Sequence, residues 1–320
     1  MLLRKILNLK TGIEYFLAKR DFLLTVMIGL TYFCQCKCPH CGISIYKKNE
    51  KDEITTPEWI NFIKKLKRNM IRRVYFFGGE PLIRNDILKL ISQAHNKGFR
   101  TALDTNGYFL NEELVQKLKE AGLDHIGVSI DSPNPMVHNN LRGITNLFEK
   151  AIKGIKYCKQ VKIKCAISTY ATKEKIKNGD LEKLINLAKK IKVDYVRILS
   201  PIATGKWLNK EDIKLNFLEK KFLNKLRLKN LGFVQLEDSF CLSLHKRMVY
   251  VSPYGEIQPC WSVPFSFGNI RQDKFEDIIK RMWSHDFFKK QKKVCFMNNE
   301  QIQKEFRNKL KTSSTFPINF

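Results

Sequence analysis

The chain has 320 residues, 43% of them hydrophobic and 22 of them phenylalanine, enough core for one large domain or two ordinary ones and too much for a disordered chain. Nine cysteines, an odd count in a long chain, do not suit a secreted disulfide framework, so a reducing, cytoplasmic setting is expected. Lys and Arg number 58 against 31 Asp and Glu, a formal charge of +27; no compact basic run with interleaved aromatics stands out, so nucleic acid is not the expected partner.

Residues 1–22 read as an amphipathic helix. Leu2, Ile6, Leu9, Ile13 and Phe16 form one stripe, with Arg4, Lys5, Lys10, Lys19 and Arg20 among them. Such a helix packs its stripe on the rest of the fold or makes peripheral contact with an anionic membrane. No stretch reaches the ~20 apolar residues of a membrane span. The run after Lys19-Arg20 mimics a secretory signal, but Asp21 interrupts the flank and no small-residue cleavage site follows.

Residues 23–205 alternate apolar runs with helical patterns. Strands are expected at 24–30, 73–77, 100–104, 125–130, 161–169 and 195–199, and helices near 57–69, 84–97, 111–121, 145–158 and 180–191. Thr56-Pro57 and Asn111 are helix starts; Gly98 and Gly122 are helix stops. This order predicts an α/β fold, a parallel sheet curled into a partial (β/α)6 TIM-like barrel with its site at the strand C-terminal ends. Residues 206–239 form a charged helical connector, with Leu208, Leu215, Leu218, Phe222 and Leu226 on its apolar side. A small α+β module is expected at 240–297: two strands, 248–252 and 256–259, turn at Pro253-Tyr254-Gly255, and a long helix runs from Asp273 to about Lys293. Residues 298–320 read as a lysine-rich tail.

The loop after the first strand holds Cys34, Cys38 and Cys41 in a C-x3-C-x2-C run. Three thiolates so spaced grip three corners of a cubane iron–sulfur cluster and leave the fourth iron open. Tetrahedral zinc on Cys34, Cys36, Cys38 and Cys41 is the alternative, although structural zinc usually pairs two separated hooks. In the cubane reading Cys36 is a bystander. The second strand ends in Gly78-Gly79-Glu80-Pro81, where glycines allow close backbone approach to a ligand. Thr105-Asn106-Gly107 follows the third strand, and Ser129-Ile130-Asp131 with His138-x3-Arg142-Gly143 follows the fourth. Cys241-x13-Gly255-x4-Cys260 opens the C-terminal module, followed by Phe267-Gly268-Asn269-Ile270. Cys158 and Cys165 fall in a helix and a strand as ordinary buried thiols.

In this order the motifs resemble the radical S-adenosylmethionine (SAM) superfamily over about residues 20–297, with a C-terminal SPASM/twitch-like extension. The resemblance implies a 4Fe–4S cluster on Cys34, Cys38 and Cys41, with SAM chelating the open iron through its amino and carboxylate groups. It assigns Gly78, Gly79, Glu80 and Pro81 to the SAM amino group, Asn106 to the neighbouring turn, and Ser129 and Arg142 to the carboxylate. His40 stands where an aromatic ring packs on adenine. Ser168 or Thr169 would reach the ribose, and Ile198-Leu199 the adenine. The extension implies one auxiliary cluster on Cys241, Cys260 and Cys295 with a non-cysteine or substrate ligand. Here the chain departs from the family, because Cys295-Phe-Met-Asn298 stands where C-x2-C is usual. The implied activity is reductive cleavage of SAM, with an electron from a flavodoxin or ferredoxin, to a 5′-deoxyadenosyl radical. That radical removes hydrogen from an unactivated C–H of a peptide or small molecule, for oxidation or crosslinking. Lipid or isoprenoid modification at a membrane surface is the alternative, and a zinc-binding, nucleic-acid-associated protein is the reading from another class.

Overall fold

The first apolar run folds as β1 (Thr25–Gly29), buried along its whole length as a central parallel strand must be. The computed structural model describes residues 25–46, 52–208, 210, 212–236, 241–289, 295–298, 304, 308–309 and 317–319. After β1 come α1 (Thr56–Lys65), β2 (Arg73–Phe77), α2 (Ile87–Asn96), β3 (Arg100–Thr105), α3 (Glu112–Glu120) and β4 (His125–Ser129). Then follow α4 (Pro135–Arg142), α5 (Leu147–Gln160), β5 (Lys164–Tyr170), α6 (Lys173–Lys177), α7 (Asp180–Lys190) and β6 (Tyr195–Leu199). The six strands pair in chain order, all parallel.

Each expected strand and helix of this stretch is present, within a few residues of its expected ends. Two short helices were not foreseen. In α4, Asn134 accepts from the N–H groups of Met136 and Val137, Pro135 opens the first turn, and Gly143 closes the last with φ 68°. These end signals outweigh its short length, and they put Arg142 on a helix, buried, rather than on a loop.

The sheet stays open. β7 (Val234–Leu236) joins the β6 edge and β8 (Met248–Val251) the β1 edge, both parallel, and β9 (Ile257–Gln258) returns antiparallel on β8. The hairpin expected at 248–259 therefore forms, but it extends the barrel sheet instead of standing apart. An unpaired β1 edge would expose a row of backbone donors and acceptors, and β8 satisfies it while the Tyr250 hydroxyl meets that of Tyr32 at 3.2 Å.

Three expectations are corrected. The connector helix, α8 (Phe217–Lys229), starts later than expected because Asn216 and Glu219 form its capping box. That start buries Leu223 and Leu226 and leaves Leu218 71% exposed. The long helix from Asp273 is broken into α9 (Phe275–Ser284) and α10 (Asp286–Lys289) by an extended His285. There the Ser284 hydroxyl donates to the Arg281 carbonyl at 2.9 Å, competing with the helical ladder. Part of the presumed tail is a strand, β11 (Ile318–Asn319), paired with β10 (Phe265–Ser266).

The amphipathic helix proposed for 1–22 lies outside the described residues, as does most of 298–320. Among the described residues no helix is long and apolar enough to cross a membrane. Outward strand residues such as Val74, Phe76, Ile126 and Ile167 form the main core with the helices, and Cys158 and Cys165 are buried in it. The inward residues line a cavity.

Candidate active site

Strand residues alternate faces, so Tyr75 and Phe77 on β2, Asp104 on β3, Ser129 on β4, Ser168 and Tyr170 on β5 and Arg197 and Leu199 on β6 point into one cavity of about 780 Å³. The thiols of Cys34, Cys36, Cys38 and Cys41 all line it. Their loop is held from several sides. The Gly79 and Glu80 N–H groups donate to the carbonyls of Thr31 (2.7 Å) and Phe33 (2.8 Å). A Cβ on Gly78 would lie 2.3 Å from the Thr31 oxygen, and one on Gly79 2.1 Å from the Phe33 oxygen. The close approach these glycines permit is thus to the cysteine loop's own backbone. Lys37 N–H donates to the Arg142 carbonyl at 2.8 Å, and Lys206 N–H to that of Cys41 at 3.0 Å. Glu53 accepts from the Thr31 hydroxyl (2.8 Å) and the Tyr32 N–H (3.1 Å).

Of the Gly-Gly-Glu-Pro run, Gly78 and Gly79 line the cavity, whereas Glu80 and Pro81 are buried behind it. The Glu80 carboxylate accepts from the N–H of Asn106 (2.7 Å), the Thr105 hydroxyl (2.7 Å) and the N–H of Leu82 (3.1 Å). It therefore clamps the Thr105-Asn106 turn to the cysteine loop rather than facing a ligand. Asn106 itself reaches the cavity, with Nδ2 3.8 Å from Cys34 Sγ.

Burial pushes the Glu80 carboxyl up to about 7, although its three donors pull the other way. Its ordinary value is 4.5, so the folded chain binds a proton that the unfolded chain has released between these two values. The stabilisation is fully present below the lower value and is lost as pH rises through the upper one, about 3 kcal/mol over the window. Glu80→Gln is expected to flatten that dependence. Urea denaturation of both proteins at several pH values across the window checks it; two curves that stay parallel would contradict it.

Asp131, at the end of β4, is the electrostatic hub. Arg142 Nε donates to its Oδ2 at 2.8 Å, Lys175 Nζ lies 3.6 Å from its Oδ1, and His40 Nε2 lies 3.5 Å from Oδ2. Burial alone would raise this carboxyl, but the cation of Arg142 overrides it and holds it below the usual carboxylate range. Burial lowers His40 to about 4, so its imidazole is neutral near pH 7 and its contact with Asp131 is no ion pair. The ring packs on both Tyr170 (centroids 5.1 Å) and Trp207 (5.7 Å), which also touch each other at 5.4 Å. Arg142, Ser129 and His40 all line the cavity.

Of the alternative ribose contacts, Ser168 faces the cavity while Thr169 points away and accepts from Lys175 at 3.0 Å. Leu199 faces it; Ile198 belongs to the core. Sequence reasoning missed the inner wall. Arg197 donates to Ser168 Oγ (Nε, 3.0 Å), to the Tyr75 hydroxyl (2.8 Å) and to Asp104 (2.5 Å), and Tyr75 donates to Asp104 at 2.7 Å. Its signal was the polar residue at alternate places in Arg73-x-Tyr75-x-Phe77 and Tyr195-x-Arg197-x-Leu199.

In the C-terminal module Cys260 is buried with its thiol 3.0 Å from Ser262 Oγ, and burial, with the nearby Cys241 adding to it, pushes it up to about 11. Cys295 is half-buried against the main core. Leu242 and Trp261, the neighbours of Cys241 and Cys260, line the cavity. The Trp261 ring rests on Gly42, where a Cβ would lie 2.4 Å from it. The chemistry of the loop's donor set fits the implied cluster: three thiols on one braced loop, facing a cavity that Gly78 and Gly79 also line, suit a cubane with an open corner. Among the described residues no three His, Cys, Asp or Glu side chains are grouped as a ready-made site for a single ion.

The Radical SAM superfamily profile matches residues 28–188, and that of SPASM, an iron–sulfur cluster-binding domain, matches residues 241–311. The chain is 26% identical over 280 residues to the AdoMet-dependent heme synthase of Methanosarcina barkeri, covering 78% of this chain and 80% of that one. It is 24% identical over 285 residues to the enzyme of the same name from Nitratidesulfovibrio vulgaris, covering 79% and 77%. Among solved structures it resembles SuiB of Streptococcus suis bound to the precursor peptide SuiA, with TM-score 0.67 at 17% identity over 94% of this chain and 75% of that one. It also resembles anSMEcpe with bound AdoMet and Cp18Cys peptide, with TM-score 0.64 at 19% identity over 89% and 96%. The chain belongs to the radical SAM superfamily and carries a SPASM domain, an enzyme whose cofactors are a 4Fe–4S cluster, SAM and the auxiliary iron–sulfur chemistry of that domain.

Proposed function

We propose that this enzyme removes a hydrogen atom from an unactivated C–H of a small, carboxylate-bearing molecule of heme type held inside the barrel, in an oxidation. When bound, the cluster and SAM supply the 5′-deoxyadenosyl radical, given one electron from a flavodoxin or ferredoxin. Cys34, Cys38 and Cys41 hold that cluster. Arg142, fixed by Asp131, and Ser129 receive the SAM carboxylate. The neutral ring of His40, backed by Tyr170 and Trp207, offers adenine an apolar face. Cys241, Cys260 and Cys295 would hold one auxiliary cluster, and the first two directly precede the cavity-lining residues Leu242 and Trp261.

The observation that carries the substrate class is the charge of the cavity beyond the cysteine loop. Arg73, Arg100, Lys164 and Arg197 line it, and only Asp104 and Asp124 oppose them there. His125 among them is pushed down to about 4, by burial first and, despite Asp104, by the cations of Arg197, Arg73 and Lys164. Arg197 is half-buried and bonded to Asp104, while Arg73, Arg100 and Lys164 stand exposed at the starts of their strands, and this excess of positive charge at the cavity favours an anionic occupant. The names of the relatives from Methanosarcina and Nitratidesulfovibrio support a heme-type ring. The peptides of SuiB and anSMEcpe belong to those proteins, which share the fold. No observation favours a lipid.

Titration of the reconstituted enzyme with an iron porphyrin carrying free carboxylate arms, and with its methyl ester, tests the reading. The acid should bind and the ester should not. Replacing both Arg73 and Lys164 by methionine should weaken the acid at least tenfold, ~1.4 kcal/mol. An ester that binds as well as the acid would rule out carboxylate recognition.

A further inference from the structure

Cys36 is the one cysteine of the loop that the three-ligand pattern does not use, and it is not stored in the core as Cys158 and Cys165 are. It is half-exposed and lines the same cavity as Cys34, Cys38 and Cys41. Its thiol interacts with those of both Cys34 and Cys38, and its N–H donates to Cys34 Sγ at 3.4 Å. The loop is pinned on either side of it, at Phe33 by Glu80 and at Lys37 by Arg142, so the thiol is held beside the ligands by the same bonds that hold them. The Arg142 guanidinium acts electrostatically on both Cys36 and Cys38.

We propose that Cys36 is a displaceable fourth ligand, occupying the cluster's open iron until SAM takes its place. This rests on the 4Fe–4S site at Cys34, Cys38 and Cys41. In the exchange one Fe–S bond to Cys36 breaks, and the iron gains bonds to the amino nitrogen and a carboxylate oxygen of SAM. The proton that the SAM ammonium loses passes to the departing thiolate, and no electron moves. Until the exchange all four irons carry thiolate, so the labile corner is guarded before the co-substrate arrives. The guard lowers the apparent affinity for SAM by the fraction of molecules in which the corner is closed.

Alkylation of the anaerobically reconstituted wild-type holoenzyme by iodoacetamide, mapped by mass spectrometry, tests this without requiring a variant to fold. Without SAM, all four loop cysteines should be protected; with saturating SAM, Cys36 alone should become labelled. Labelling of Cys36 to the same extent with and without SAM overturns the proposal, while labelling of Cys34, Cys38 and Cys41 as well would overturn the cluster site beneath it. Ferricyanide oxidation of SAM-free enzyme gives the second readout. Cys36→Ala should lose one iron per cluster and show the electron paramagnetic resonance signal of a three-iron cluster, where the wild type keeps four irons. The variant should also bind SAM several-fold more tightly. Equal iron loss in the two proteins overturns the proposal.

Discussion

Cys38→Ala is expected to abolish SAM cleavage, lowering 5′-deoxyadenosine release on the order of a thousandfold, ~4 kcal/mol of barrier. The reason is geometric as well as chemical. The loop is braced by the carbonyls of Thr31, Phe33, Cys38 and Cys41 and by the N–H of Lys37, and Cys36, the remaining thiol of the loop, stands two residues from the vacated corner and would have to shift against those bonds to replace Cys38. Cys38 is also the thiol most prepared to ionise: a hydrogen bond from Cys36 lowers it to about 7 despite burial, with Arg142 assisting. Iron and sulfide counts, with chromatographic assay of the nucleoside, read the effect. Cys158→Ala is the control; that thiol is buried in the core, so its loss should cost roughly 1 kcal/mol of stability and no iron. Full iron and undiminished nucleoside release in Cys38→Ala would remove this loop from the cofactor site.

Asp131→Ala should be the most destabilising single change in the barrel. The carboxylate is 1% exposed and the Arg142 side chain 8%, so its removal leaves a guanidinium buried without its counter-charge, and Lys175 with it. Breaking such a pair from one side costs about 3–5 kcal/mol. The penalty has a pH signature. The folded carboxyl sits below its ordinary 3.8, so its contribution is present above that value and fades as acid protonates it. Asp131→Ala and wild type should therefore differ most near neutrality and converge in strong acid. Asp131→Asn keeps the shape without the charge and should cost nearly as much. SAM affinity should fall in both variants, because Arg142 loses the partner that aims it. Equilibrium unfolding in guanidinium decides the matter, and a loss below about 0.5 kcal/mol, the range of an ordinary surface change, would contradict the role given to this hub.

The barrel was legible because its information is local. Runs such as Arg73–Phe77 and Tyr195–Leu199 are apolar enough to be strands and are bounded by helix starts and stops that act through their own backbone hydrogen bonds. Cys34, Cys38, Cys41 and Gly78-Gly79 were legible for a related reason: their chemistry is carried by spacing along the chain. Glu80 shows where this ends. The motif assigned its backbone to SAM but said nothing of its carboxylate, whose partners Asn106 and Thr105 lie twenty-five residues or more away. The Tyr75–Asp104–Arg197–Ser168 wall joins four strands, and although polar residues alternate within single strands such as Tyr195–Leu199, no local pattern states which strands' inward residues meet. The joining of β8 to β1 depends on an open sheet edge more than two hundred residues earlier in the chain, which no local pattern encodes. Leu218 and the break at His285 failed for a smaller reason, since capping and side-chain back-bonding shift a helix end by a turn and so change which face is buried.

Anaerobically reconstituted full-length protein, given SAM and a strong low-potential reductant, tests the central claim most directly. Methionine and 5′-deoxyadenosine should appear in equal amounts, and both should vanish when Cys34, Cys38 and Cys41 are replaced together. A brown, iron-replete protein that binds SAM yet forms neither product would contradict the enzymatic account.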